Sequence, residues 1–228
     1  MSVPRGTWVL ASAGLALVAG CGMTRLQTAR TAAPGTTTVT IGASLVDTSD
    51  RGVKVGGVPI LPLEVMVRHG LTDHVDFGVR SFLGIGLLAD AKWNLLPPDR
   101  ATALSLSAGL GAAADGGFVA HVPVTLTASR AFAPWFTPYV AVGYGTYWIF
   151  GRMPPDPTQS YAPRTGTGDG LLMLHAGVEL ARASGRAVLL EYTYARPVVD
   201  DPGDFYGFGT NQFFSLAFHT GRDPTFSR

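Results

Sequence analysis

An all-β chain, closed as an antiparallel, up-and-down transmembrane β-barrel of about ten strands, is what three observations predict together. Segments that alternate apolar and polar residues recur along most of the chain, glycine reaches 29 copies, and only 14% of the residues are charged. Soluble domains carry about 25% charged residues, so this chain is equipped to meet lipid over part of its surface. Its 228 residues suit one sizeable domain. The net charge of +1 gives no field that would gather nucleic acid, and no nucleic-acid partner is expected.

Residues 1–20 come first. Arg5 precedes the apolar run "WVLASAGLALVAG", which is too short for a permanent membrane helix and ends in small residues, as a secretory signal peptide does. The run closes on "LVAGC", residues 17–21, which resembles the lipobox of bacterial lipoproteins. That resemblance implies cleavage before Cys21 and a lipid, palmitate included, on its thiol; Gly22 in place of Asp implies the outer membrane of a Gram-negative bacterium. Cys21 is the only cysteine, so no internal disulfide can form. Residues 21–35, ending in "GMTRLQTARTAAPG", read as a lipidated flexible tether with little to bury.

The barrel is expected over residues 36–220. Beyond the signal, no uninterrupted apolar run approaches the roughly 18 residues of a membrane helix, so any crossing is made by strands. Ten alternating segments fall near 37–46, 59–69, 75–84, 86–96, 102–112, 118–129, 136–149, 171–182, 187–197 and 210–219. Boundaries read this way leave the count open by about two, from eight to twelve. Links at "GLTDH", "PPDR", "AFAPW" and "ASGR" are short, and they alternate with connections that include the long stretches 47–58, 150–170 and 198–209. Membrane barrels alternate periplasmic turns and external loops in this way. An even strand count returns both ends to the turn side. Residues 221–228 form a short tail.

One parity class of the strands holds Ile41, Leu45, Val65, Leu106, Leu110, Val124, Leu126, Leu174, Phe214 and Leu216. The other is polar, charged or small. A soluble barrel could show the same alternation with its apolar row inside. Two features favour the outward assignment. Gly109, Gly111, Gly143 and Gly145 all lie in the polar class, where a crowded interior needs room. Aromatic residues fall into two belts: Phe77, Trp93, Phe132, Trp135, Phe136 and Phe218 near the turn end, and Tyr144, Trp148, Phe150, Tyr194 and Phe214 toward the loop end, as at two water–lipid interfaces. Over its mature length the chain thus resembles small outer-membrane β-barrel proteins.

The inward charges are the candidate site: Glu64, Arg68, Asp76, Arg80, Asp90, Lys92, Glu179 and Glu191. A turn centred near residue 72 sets Glu64 opposite Arg80 and Arg68 opposite Asp76. A link centred near 85 sets Arg80 opposite Asp90. Such rows read either as a tiled ionic interior or as the lining of a conduction path. A register centred on "ASGR" places Glu179 opposite Glu191, which requires an Arg between them, or a shared proton or bound cation.

Catalytic patterns are missing. No G-x-S-x-G, H-E-x-x-H or paired-Cys spacing occurs. His175 and Glu179, four apart on a strand, stand about 13 Å from each other. No enzyme activity and no cofactor or metal is expected, although Asp200, Asp201 and Asp204 in the last long loop form a carboxylate cluster of the kind that takes Ca²⁺. The leading reading is a structural or interaction protein with a filled polar lumen, meeting outer-membrane lipid and an envelope protein through its loops or tether. A narrow solute channel and a lipid-tethered, lipocalin-like carrier are the alternatives. A hydrolase comes last.

Overall fold

A strand repeats every two residues, so a segment with one apolar and one polar face is stable only between two different media. In a computed structural model of the chain, residues 24–50, 53–54, 63–82, 86–114, 118–150, 169–182, 185–198 and 210–221 are described. They contain β1 (Thr37–Asp50), β2 (Val53–Lys54), β3 (Leu63–Gly70), β4 (Val75–Phe82), β5 (Gly86–Asn94), β6 (Thr102–Ala114), β7 (Phe118–Arg130), β8 (Phe136–Phe150), β9 (Asp169–Arg182), β10 (Arg186–Val198) and β11 (Thr210–Thr220). β2 is a two-residue strand that runs antiparallel to the loop end of β1, pairing Ser49 with Lys54 and Asp50 with Val53. The wall therefore has ten strands, β1 and β3 to β11.

Each wall strand pairs antiparallel with its neighbour in the chain, and β1 pairs on both sides. It meets β3 from Thr37↔His69 to Ala43↔Leu63 and β11 from Val39↔Thr220 to Ser49↔Thr210. The sheet is a closed antiparallel up-and-down barrel, and closure removes the exposed edges that would otherwise recruit other strands. All ten expected segments appear as strands.

The apolar class faces out and the polar class faces in. On β6, Leu106 is 39% exposed while Ser105 beside it is fully buried. Ile41, Leu45, Val65, Leu110, Val124, Leu126, Phe214 and Leu216 are likewise exposed. Phe77, Trp93, Phe132, Trp135 and Phe218 stand exposed toward the turn end, and Tyr144 and Phe214 toward the loop end. This is the outward apolar band with aromatic girdles of a membrane barrel. A soluble carrier needs the reverse orientation, so the lipocalin-like expectation is overturned.

The expected tether is corrected more sharply. Thr24, Arg25, Leu26, Gln27, Thr28, Ala29, Thr31 and Ala32 are all buried, and the segment runs inside the barrel. It enters beside Gly70, where Gly35 N donates to Gly70 O at 2.9 Å and Gly70 N donates to Thr36 O at 3.0 Å. A Cβ on Gly70 would fall 2.1 Å from Ala33 O, so only glycine lets the chain cross the end of β3 there. Small side chains and many backbone polar groups read as a linker in isolation; inside a polar tube the same features make a filler.

Candidate functional site: the barrel lumen and the segment within it

Hairpin registers position the lumen charges, and they differ from the expected ones by two residues. The link after β3 spans 71–74, with Leu71 N and Thr72 N both donating to Val75 O. It sets Arg68 opposite Gly78 and Arg80 opposite Met66. The next register sets Gly78 opposite Asp90, Asp76 opposite Lys92 and Arg80 opposite Leu88. A shift of two keeps every side chain on its face but changes its partners. Arg68 now bridges two carboxylates: Nε donates to Asp76 Oδ1 at 2.9 Å, Nη2 to the same oxygen at 2.5 Å, and Nη1 to Asp90 Oδ1 at 2.8 Å. Lys92 Nζ lies 3.4 Å from Asp76 Oδ2, and Arg80 Nη1 lies 3.5 Å from Glu64 Oε1. All eight predicted lumen residues are buried.

The expected Glu179–Glu191 apposition is also corrected. β9 ends at Arg182 and β10 begins at Arg186, with Gly185 in the left-handed region at φ +72°, so Glu179 sits opposite Leu189 and Glu191 opposite Gly177. The groups that answer Glu191 are not an Arg side chain. Arg25 N donates to Oε1 at 2.5 Å and Leu26 N to Oε2 at 2.7 Å, so two successive main-chain N–H groups converge on one carboxylate. Leu26 has φ +46°, and this left-handed residue aims the N–H pair as a nest. Tyr139 Oη and Thr193 Oγ1 add donors at 2.9 Å each.

The other wall charges read the same segment. Thr24 Oγ1 donates to Glu64 Oε2 at 2.7 Å. Arg80 donates to the carbonyl oxygens of Thr24 and Arg25. Lys92 donates to the Arg30 carbonyl and, at 3.2 Å, to Gln27 Oε1. Ala29 N reaches Ser129 Oγ at 3.2 Å and Ala32 N reaches Asp76 Oδ2 at 2.9 Å. At the turn end Arg30 Nη2 donates to Arg100 O at 2.7 Å. Net charge is complementary as well. The buried wall carries five carboxylates (Glu64, Asp76, Asp90, Glu179, Glu191) against three cations (Arg68, Arg80, Lys92), a balance of 3 − 5 = −2. Residues 24–36 hold Arg25 and Arg30 and no acid.

Above this ionic tier, toward the loop end, the lumen is apolar. Tyr147, Leu171, Met173, Ala195 and Phe213 form one buried cluster and Phe82, Leu88 and Ala113 another, with Val119 packed against both. His121 stacks on Tyr147 with ring centroids 4.1 Å apart and planes 7° from parallel. Sequence reasoning missed this tier. Phe82, Leu88, Leu171, Met173 and Phe213 all have inward parity, and that parity was the available signal. Two internal cavities among the described residues, of about 10 and 20 Å³, hold a single water each at most.

Among the described residues the histidine and hydroxyl that lie closest in the lumen are not set for nucleophilic catalysis. His175 Nδ1 lies 2.9 Å from Thr193 Oγ1, but the Thr193 proton is directed to Glu191, so Nδ1 donates to this hydroxyl and cannot take its proton. Among the described residues no group of three or more His, Cys, Asp or Glu could hold a metal. Cys21, the Asp200–Asp201–Asp204 cluster and residues 151–168 lie outside the described residues.

A tube greasy outside and closed on itself has the fold seen in solved outer-membrane β-barrel proteins. The chain is similar to an outer membrane channel from Pseudomonas putida F1, at TM-score 0.51 and 9% identity over 87% of this chain and 100% of that one. Ail, the attachment invasion locus protein of Yersinia pestis, aligns at TM-score 0.38 and 12% identity over 83% and 99% of the two chains. The N-terminal β-barrel domain of Pseudomonas aeruginosa OprF aligns at 0.40 and 9%, over 83% and 98%. No protein-family model and no curated protein sequence matches the chain. At these identities the likeness concerns the fold.

Proposed function

We propose that this is a non-conducting outer-membrane barrel, anchored by a lipid on Cys21 with its N-terminus on the periplasmic side. It acts through its surfaces toward membrane lipid and an envelope protein partner. The observation that carries this reading is the lumen's closure at two heights, by residues 24–36 among the wall charges and by the apolar tier around Leu171, Met173 and Phe213. Passage of even a small solute requires both to move.

Planar-bilayer recording tests it. The membrane-extracted wild type should give no discrete conductance steps. Stepwise currents whose cation-to-anion selectivity changes in Arg80→Ala would refute the reading and establish a solute channel.

A further inference from the structure

We infer that one arc of the turn-end rim, from β7 to β10, binds the headgroup of an anionic glycerophospholipid. This deepens the reading above and rests on its membrane placement, not on Cys21. β7 ends at Arg130 and β8 begins at Phe136, while β9 ends at Arg182 and β10 begins at Arg186. The arc is thus the part of the wall where strands give way to links. Phe132 and Trp135 stand 65% and 60% exposed there. Both pack on Phe136, with ring centroids 6.4 and 5.5 Å away. Aromatic side chains so placed mark the water–lipid interface of a membrane barrel.

Arginines flank these rings on both sides. Arg130 is exposed, and its Cζ lies 5.2 Å from the centre of the Phe132 ring. On the other side Ala181 N donates to Trp135 O at 3.0 Å, which brings the end of β9 alongside Trp135. The next residue, Arg182, pairs in register with the exposed Arg186. Like charges paired across strands destabilise a sheet, and an anion between them relieves the cost. The wall supplies none. Within residues 130–136 and 178–190 the one acid is Glu179, which is buried in the lumen. Among the described residues neither Arg130 nor Arg186 meets a carboxylate. The links after β3 and β5, by contrast, hold Asp73 and Asp99 against Arg100.

The chemistry selects the ligand. A guanidinium offers parallel N–H donors that match two phosphate oxygens, and cations unanswered by protein favour a lipid of net negative charge. Followed through Ser129↔Tyr139 and Pro138↔Val178, the registers set Arg130 two strands across and four residues along from Arg182. At ~4.8 Å per strand and ~3.3 Å per residue, their backbones are about 16 Å apart. Phosphate therefore meets arginine at either end of an aromatic row.

Quenching by brominated lipids reads this surface through Trp135 itself. Two full-length chains would be refolded into phosphatidylcholine vesicles, one keeping only Trp135 and the other only Trp93, which is 59% exposed on the acid-bearing side; Phe replaces the other tryptophans. Heat-modifiable migration checks folding. Brominated phosphatidylglycerol should be preferred over brominated phosphatidylcholine at Trp135 by about fivefold for each engaged arginine, and equally matched with it at Trp93. Arg130→Gln together with Arg186→Gln should bring Trp135 to the Trp93 value. A preference at Trp135 no greater than at Trp93, or one that survives both substitutions in a folded barrel, would overturn the inference. Loss of the preference to inorganic phosphate at constant ionic strength would overturn the lipid as ligand in favour of a soluble phosphate. An absence of quenching by either lipid would instead strike the membrane placement, and conductance enters none of these readouts.

Discussion

Replacing Glu191 by Gln should unseat the internal segment while leaving the barrel closed. The carboxylate takes Arg25 N and Thr193 Oγ1 on Oε1, and Leu26 N and Tyr139 Oη on Oε2. Glutamine keeps one acceptor oxygen and turns the other position into a donor. Thr193 and Tyr139 can rotate their hydroxyls to accept from the new NH₂ group, but a main-chain N–H cannot. Whichever way the amide flips, one of Arg25 N and Leu26 N loses its bond. A hydrogen bond to a charged acceptor is worth ~1.5–3 kcal/mol, and a buried donor left unsatisfied costs ~1–3 kcal/mol. Their sum, about 2.5–6 kcal/mol, falls on the seated segment, because the wall pairing of β10 involves neither N–H group. A loss of about 3 kcal/mol changes the seated-to-free ratio about 150-fold. The assay is tryptic cleavage after Arg25 and Arg30 in the folded full-length chain, where Arg25 is buried and the Arg30 guanidinium is bound at the turns. The rate should rise about 100-fold in Glu191→Gln, with unchanged heat-modifiable migration. Cleavage at the parental rate in a folded barrel would refute the assignment of Glu191 as the segment's main support.

Other perturbations address the wall. Arg68→Met leaves Asp76 and Asp90 without their bridge and should cost about 3–5 kcal/mol, read from the urea midpoint in vesicles; adding Asp90→Asn should restore part of it, and an unmoved midpoint would contradict the bridge. Val124→Arg puts a cation on the outward face and should destabilise the folded barrel by ~2–4 kcal/mol in lipid; a neutral result would mean that this face is not in contact with hydrocarbon. In Gly145→Ala the new Cβ falls 2.4 Å from His121 Nε2, forcing the ring from its stack on Tyr147 at about 1–3 kcal/mol. His121→Ala should relieve that cost in a double-mutant cycle, and simple additivity would rule the contact out.

The wall was legible because a period of two leaves only two assignments per strand, and the inward Gly145 beside outward Tyr144 separates them. Register was not legible. Whether a link is centred on residue 72 or 73 depends on which carbonyl closes the turn, and Val75 O accepting from both Leu71 and Thr72 is a three-dimensional outcome. The internal segment was misread for a related reason: Thr24, Gln27 and Thr28 show no amphipathic period, and their burial is secured by Glu191, Arg80 and Lys92, far along the chain. One clue was present nonetheless. The inward parity class holds two more acids than bases, and an interior excluded from water calls for cations from elsewhere.

Gly70 has a mechanical consequence. If the segment leaves the tube, tension along it arrives first at the paired Gly35, Thr36 and Gly70 groups, and only then at the seam where β1 meets β11. Bonds at that clamp are loaded in shear beside a chain that already crosses the end of β3. The seam's eleven residue pairs, from Val39↔Thr220 to Ser49↔Thr210, are thereby spared from being peeled one at a time. The cylinder can give up its contents without unzipping.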